Sequence, residues 1–172
     1  LLDPTLTLER YRRILQLFFG FYAPIEAGIA RLASAQATLG LPLRARTGLI
    51  ENDLLSLGVS RHELAELPRC ADLPRLSCRE DLAGCLYVIE GACLGGQMIA
   101  PVLRQRLGIG QENGAGFFIG DAEETRARWS LFLTWIQDLP HSRAATVKIV
   151  AAARSTFLAF ADWVERGRSP KE

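Results

Sequence analysis

Residues 87–103 read "YVIEGACLGGQMIAPVL", and the reading of this stretch decides the fold. Its apolar residues recur at helical spacing, yet it carries Gly91, Gly95 and Gly96. An interior glycine costs a helix about 1 kcal/mol relative to alanine, so the three together forfeit about 3 kcal/mol that something nearby must offset. Gly91 and Gly95 are four residues apart and stack on one helix face, leaving a strip of main chain without side chains. The Gly95-Gly96 pair also favours a kink. Two bodies suit such a strip. One is a neighbouring helix, because small residues spaced by four let backbones approach closely. The other is a flat ligand laid across bare backbone. Bundles commonly reach close packing with alanine, so two successive glycines lean toward a ligand.

Working outward, Ser77 with Glu80 predicts a cap for this helix, which continues to Leu107 and ends at Gly108 and Gly110. Toward the N-terminus, Thr7 is placed to cap a helix over "LERYRRILQLFFGFYAPIEAGIARLASA", in which Pro24 should cause a bend or break. A second helix is expected from about Arg44 to Leu57, stopped by Gly58. Ser60 and Glu63 form a capping box for a short helix to about Leu67. "PRCADLPRLS" reads as loop. Downstream, "NGAGFFIGD" is a compact turn carrying two aromatics, "AEETRARWSLFLTWIQDL" a helix closed by Pro140, and about Ser142 to Arg166 the last helix. No strand-like alternation appears. The expectation is an all-α, single-domain bundle over residues 1–172, with about six helices around one core.

At 172 residues, 49% of them apolar, the chain can bury such a core without disulfides or metals. Twenty basic against nineteen acidic side chains leave a net charge of +1, which argues against a nucleic-acid stripe or a polybasic membrane segment. No apolar run of about 18–20 residues and no signal peptide is seen, so a cytoplasmic protein is expected. Cys70, Cys78, Cys85 and Cys93 are separated by eight, seven and eight positions, unlike a zinc site, and read as small core residues.

"LYVIEGACLGGQMIAPVL" resembles the distal-helix signature of heme oxygenases, in particular the bacterial branch associated with bacteriophytochromes. The resemblance extends to "LTLERYRRILQLFFGFYAPIEAGI", to "GAGFFIGDAEETRARWSLFLTWI" and to "ARSTFLAFADWV", and so covers most of the chain. It implies a heme-oxygenase-type helical bundle that holds heme between a proximal and a distal helix. It further implies an oxidoreductase that cleaves heme with O2 and an external electron donor to biliverdin, CO and free iron. The protein's share is positioning, exclusion of competing chemistry and proton delivery. An electron-donating reductase or ferredoxin is an implied partner, with a bacteriophytochrome as a further acceptor of biliverdin.

By the same resemblance Gly91 and Gly95 match heme-contacting and catalytic glycines, and Gly96 the glycine that permits the bend beside the heme. Phe157 falls where the family presses a ring onto heme, with Phe160 one turn further; ordinary core packing explains both as well. Arg126 and Arg128 are candidates to hold the propionates, since guanidinium pairs carboxylates in a fork, with solvated surface as the alternative. Gln97 is open between a packing hydrogen bond and a cofactor contact. Two departures stand out. Ala92 takes the position where many members carry an Asp that orders the water chain. The family's proximal histidine is expected on a helix upstream of Leu1, in a stretch of about 20–30 residues, and His62 and His141 read as surface residues. A di-iron enzyme would need Glu-x-x-His pairs that are missing, although Glu26 and Glu90 could face the core. A Ser or Cys nucleophile with a His base is equally poorly supported. The stronger rival is a non-catalytic module of the same fold that binds heme, a bilin or a protein.

Overall fold

The computed structural model describes residues 3, 5–35, 45–120 and 122–168. All regular structure among them is helical. Helix α1 (Leu8–Ala35) begins where the Thr7 hydroxyl accepts the Arg10 N–H at 3.2 Å. It buries Tyr11, Leu15, Phe19, Tyr22, Ile25, Ile29 and Leu32, a stripe at three- and four-residue spacing. Pro24 does not break it, so of the expected bend or break the break is excluded. The reason lies outside the helix. Pro24 cannot donate to the Gly20 carbonyl one turn earlier, and the Cys70 N–H takes that place at 2.8 Å. The approach is close enough that a Cβ on Gly20 would come within 2.6 Å of the Pro68 carbonyl oxygen.

Helix α2 (Thr47–Ser56) has no cap from its own first residue; the Glu26 carboxylate of α1 accepts from Arg46 N at 2.7 Å and Thr47 N at 3.1 Å instead. The expected start at Arg44 lies outside the described residues. Gly58 closes the helix at φ +86°, and α3 (Arg61–Glu66) opens with the expected Ser60–Glu63 capping box. Residues 67–77 are loop up to α4 (Arg79–Cys93). The expected Ser77 cap is corrected: Cys78 occupies the cap position, its sulfur accepting from Asp81 N, while the Ser77 hydroxyl donates to the Asp81 side chain at 2.7 Å.

The helix predicted to run to Leu107 is two helices. After α4 the chain turns through 46° into α5 (Gly96–Leu107), which ends on left-handed Gly108. A π-type turn at Gln111–Ala115 leads into the four-residue α6 (Gly116–Ile119), then α7 (Ala122–Gln137) and α8 (Arg143–Arg168). Asp53 of α2, itself buried, accepts from Gly116 N and Phe117 N at 2.8 Å each and so fixes α6 to the core. The most extensive helix contact joins α4 to α8; α1 packs on α2 and α8, and α7 packs on α4. Contrary to the composition-based expectation, α8 is long and apolar enough by length and composition to cross a bilayer.

Candidate functional site

The break between α4 and α5 is built from tightened turns. Leu94 N bonds Gly91 O at 3.1 Å, Gly95 N bonds Ala92 O at 3.3 Å and Met98 N bonds Gly95 O at 3.1 Å, each a three-residue step in place of the helical four. The three glycines of the segment meet different surroundings. Gly96 is buried, and a Cβ there would overlap the carbonyl oxygen of Phe118. Its missing side chain is what lets α5 lie against α6. Gly91 and Gly95 are part-exposed. A Cβ on Gly91 would make ordinary contact with the Trp129 ring at 3.6 Å, and one on Gly95 would meet only Ala92 O at 3.5 Å. The protein makes no use of the absent side chains at 91 and 95.

Beside this bend lies an apolar hollow of about 140 Å³, smaller than the roughly 300–1,000 Å³ of a usual small-molecule site. Val88, Ala92 and Cys93 of α4 and Gly96 of α5 form one wall; Phe18 and Tyr22 of α1, Phe117 and Phe118 of α6, and Phe160 of α8 form the others. The rings interlock. Phe160 sits 5.1 Å from Phe18 and 5.0 Å from Phe21, centre to centre, and Phe18 lies 5.3 Å from Phe118. Tyr22 donates to Ile89 O at 3.4 Å, and Cys93 donates to the same oxygen at 3.1 Å. Burial holds both neutral: it raises the Tyr22 hydroxyl well above its usual range and pushes the Cys93 thiol up to about 11.

A second hollow shares Tyr22 and Ile89 as a wall and is lined by Glu26, Arg46 and Glu90. Glu26 and Glu90 do face inward, as the di-iron alternative required, but each is committed elsewhere. Glu26 caps α2, and Glu90 pairs with Arg128 of α7 at 2.5 Å. No group of three or more potential metal-ligating side chains exists among the described residues.

Of the residues picked out from the sequence, Gly96 and Phe160 line the hollow, and Gly91 and Gly95 belong to the bend that borders it. Ala92 and Cys93 line it too, whereas Phe157, Arg126, Arg128 and both histidines do not. Phe157 is 63% exposed, Arg126 is exposed, and Arg128 turns to Glu90. His62 and His141 are exposed, and Ala92 puts no acid into the space. Sequence reasoning missed Gly84, where a Cβ would come within 2.5 Å of Ala153 N and would also overlap the Ile149 carbonyl, so that it joins α4 to α8. The signal was present, since Gly84 precedes Gly91 by seven residues on the same stripe. Trp129 and the Glu90–Arg128 pair had no signal, because they depend on how α7 lies across α4.

An all-α bundle with a glycine bend beside an aromatic hollow is the class of protein that fold and site define. A profile of the family described as heme oxygenase matches residues 1–166, and the chain belongs to that family. It is also 29% identical, over 154 residues, to a protein named heme oxygenase from Xanthomonas campestris pv. campestris (strain 8004), covering 89% of this chain and 83% of that relative.

Proposed function

We propose that the chain binds heme across the α4–α5 bend and, as a heme oxygenase, cleaves it with O2 and external electrons to biliverdin, CO and ferrous iron. One observation carries the reading: Gly91 and Gly95 omit side chains that the fold has room for. The helix cost of Gly91 is not offset by packing, as that of Gly96 is, and a planar ligand lying on the strip supplies the missing offset. Bound heme supplies the iron at which O2 is activated. The chain's own groups position and shield. Gly91 and Gly95 let the ligand plane approach main chain, and the rings of Phe18, Phe117, Phe118 and Phe160 exclude water from the adjoining hollow. Arg126, one turn before Trp129 on α7, is the candidate cation for a propionate. With Ala92 in place of an acid, protons must travel on water held by main-chain groups and by the Tyr22 hydroxyl.

Ala92 in place of the acid favours a second reading, a heme-binding module without turnover. Titrating hemin into the full-length protein, then adding reductant and O2, separates the two. Loss of the heme band with broad red biliverdin absorption is expected. A bound heme that survives reductant and O2 points to the module, and no heme band at all removes both. A Cβ at Gly95 makes only ordinary contact, with Ala92 O at 3.5 Å, so the expected loss of hemin binding in Gly95→Ala reports on the ligand rather than on packing.

A further inference from the structure

The strip from Gly91 to Gly95 has few anchors of its own. Its C-terminal end is held by the three-residue steps of the break, and its glycines offer no side chains to neighbouring helices. Its position is inherited from its two ends. Downstream, Gly96 is seated on the Phe118 carbonyl. Upstream, two consecutive residues of α7 meet two consecutive residues of α4: Arg128 pairs with Glu90 at 2.5 Å, and the Trp129 ring lies beside Gly91, 3.6 Å from where a Cβ would stand. The ion pair is 16% and 12% exposed at its two side chains, so solvent and salt screen it little. We propose that Arg128 and Glu90 are positioning residues, a brace that fixes the bare strip for its ligand, and that Arg128 does this in place of holding a propionate. The proposal deepens the heme reading and rests on it.

Glu90→Gln separates the two roles of Arg128 by the sign of its effect. A brace weakened by losing its carboxylate charge lowers hemin affinity, by about tenfold if it behaves like other residues that orient a ligand-contacting group. A guanidinium freed from Glu90 to meet a propionate leaves affinity unchanged or raises it, and that result overturns the proposal. Hydrogen exchange of the ligand-free variant reads the brace directly: amides of residues 91–98 should exchange faster, with the melting temperature of the whole protein nearly unchanged. Equal exchange in variant and wild type also overturns it. Should Glu90→Gln fail to fold, the Glu90→Leu/Arg128→Met double variant, which removes both charges together, carries the exchange measurement with the same expected direction. If the wild type binds no hemin, the heme reading fails while the exchange experiment still decides whether the brace exists.

Discussion

Gly95 and Gly96 are adjacent in sequence and serve different ends. Gly96 faces a carbonyl oxygen of α6 that cannot retreat without moving a backbone, whereas a Cβ on Gly95 would make only ordinary contact with Ala92 O at 3.5 Å. Gly96→Ala should therefore destabilise by about 1–3 kcal/mol, the usual cost of overpacking, read as a lower urea midpoint. Gly91→Ala should be neutral or stabilising by up to about 1 kcal/mol, because alanine is the better helix former, and Gly95→Ala, at a right-handed position just ahead of α5, should change stability little. Their cost should appear only as weaker hemin binding. If all three substitutions lose stability alike, the glycines serve packing and the ligand argument collapses. At this scale the sequence showed that the three glycines needed an offset. It could not say which body supplied it, since that depends on what stands opposite each one.

Among the elements, α4 and α8 form the most extensive pairing, and their main chains approach closely at Gly84. Gly84→Ala would press a methyl group against two backbone atoms of α8. It should cost at least as much stability as Gly96→Ala and should expose the Cys85 thiol, which packs beside Thr156, to alkylation. A variant as stable as wild type would mean that the helices part there at no cost. Helix existence and order were legible from periodicity, capping residues and terminal glycines. What escaped were boundaries and breaks decided by neighbours. Pro24 stays within α1 because Cys70 satisfies the carbonyl it abandons, and α2 starts where Glu26 of another helix caps it. Cys78 rather than Ser77 caps α4, since Ser77 is occupied with the Asp81 carboxylate.

The whole molecule encloses ionisable groups that must stay protonated. Burial pushes Cys85 up to about 12 and Cys93 up to about 11, and raises the Tyr11 and Tyr22 hydroxyls above their usual range. Unfolded, these groups release protons near about pH 8.5 for cysteine and about pH 10 for tyrosine, while the folded chain retains them. Stability from these groups is thus fully present below about pH 8 and is lost as the pH climbs through the folded values. The urea midpoint should hold level to about pH 8 and fall above about pH 9, less steeply in Cys85→Ala. A midpoint that rises in that range contradicts the burial seen here. The sequence by itself determined the helical class, the order of the helices and the anomaly at residues 91–96, because periodicity, caps and glycine cost are local. Only the tertiary structure decided that Gly84 and Gly96 are consumed by helix contact while Gly91 and Gly95 are left bare, and that Arg128 is held by Glu90. Those outcomes depend on which backbone lies opposite, and a linear spacing carries no information about that.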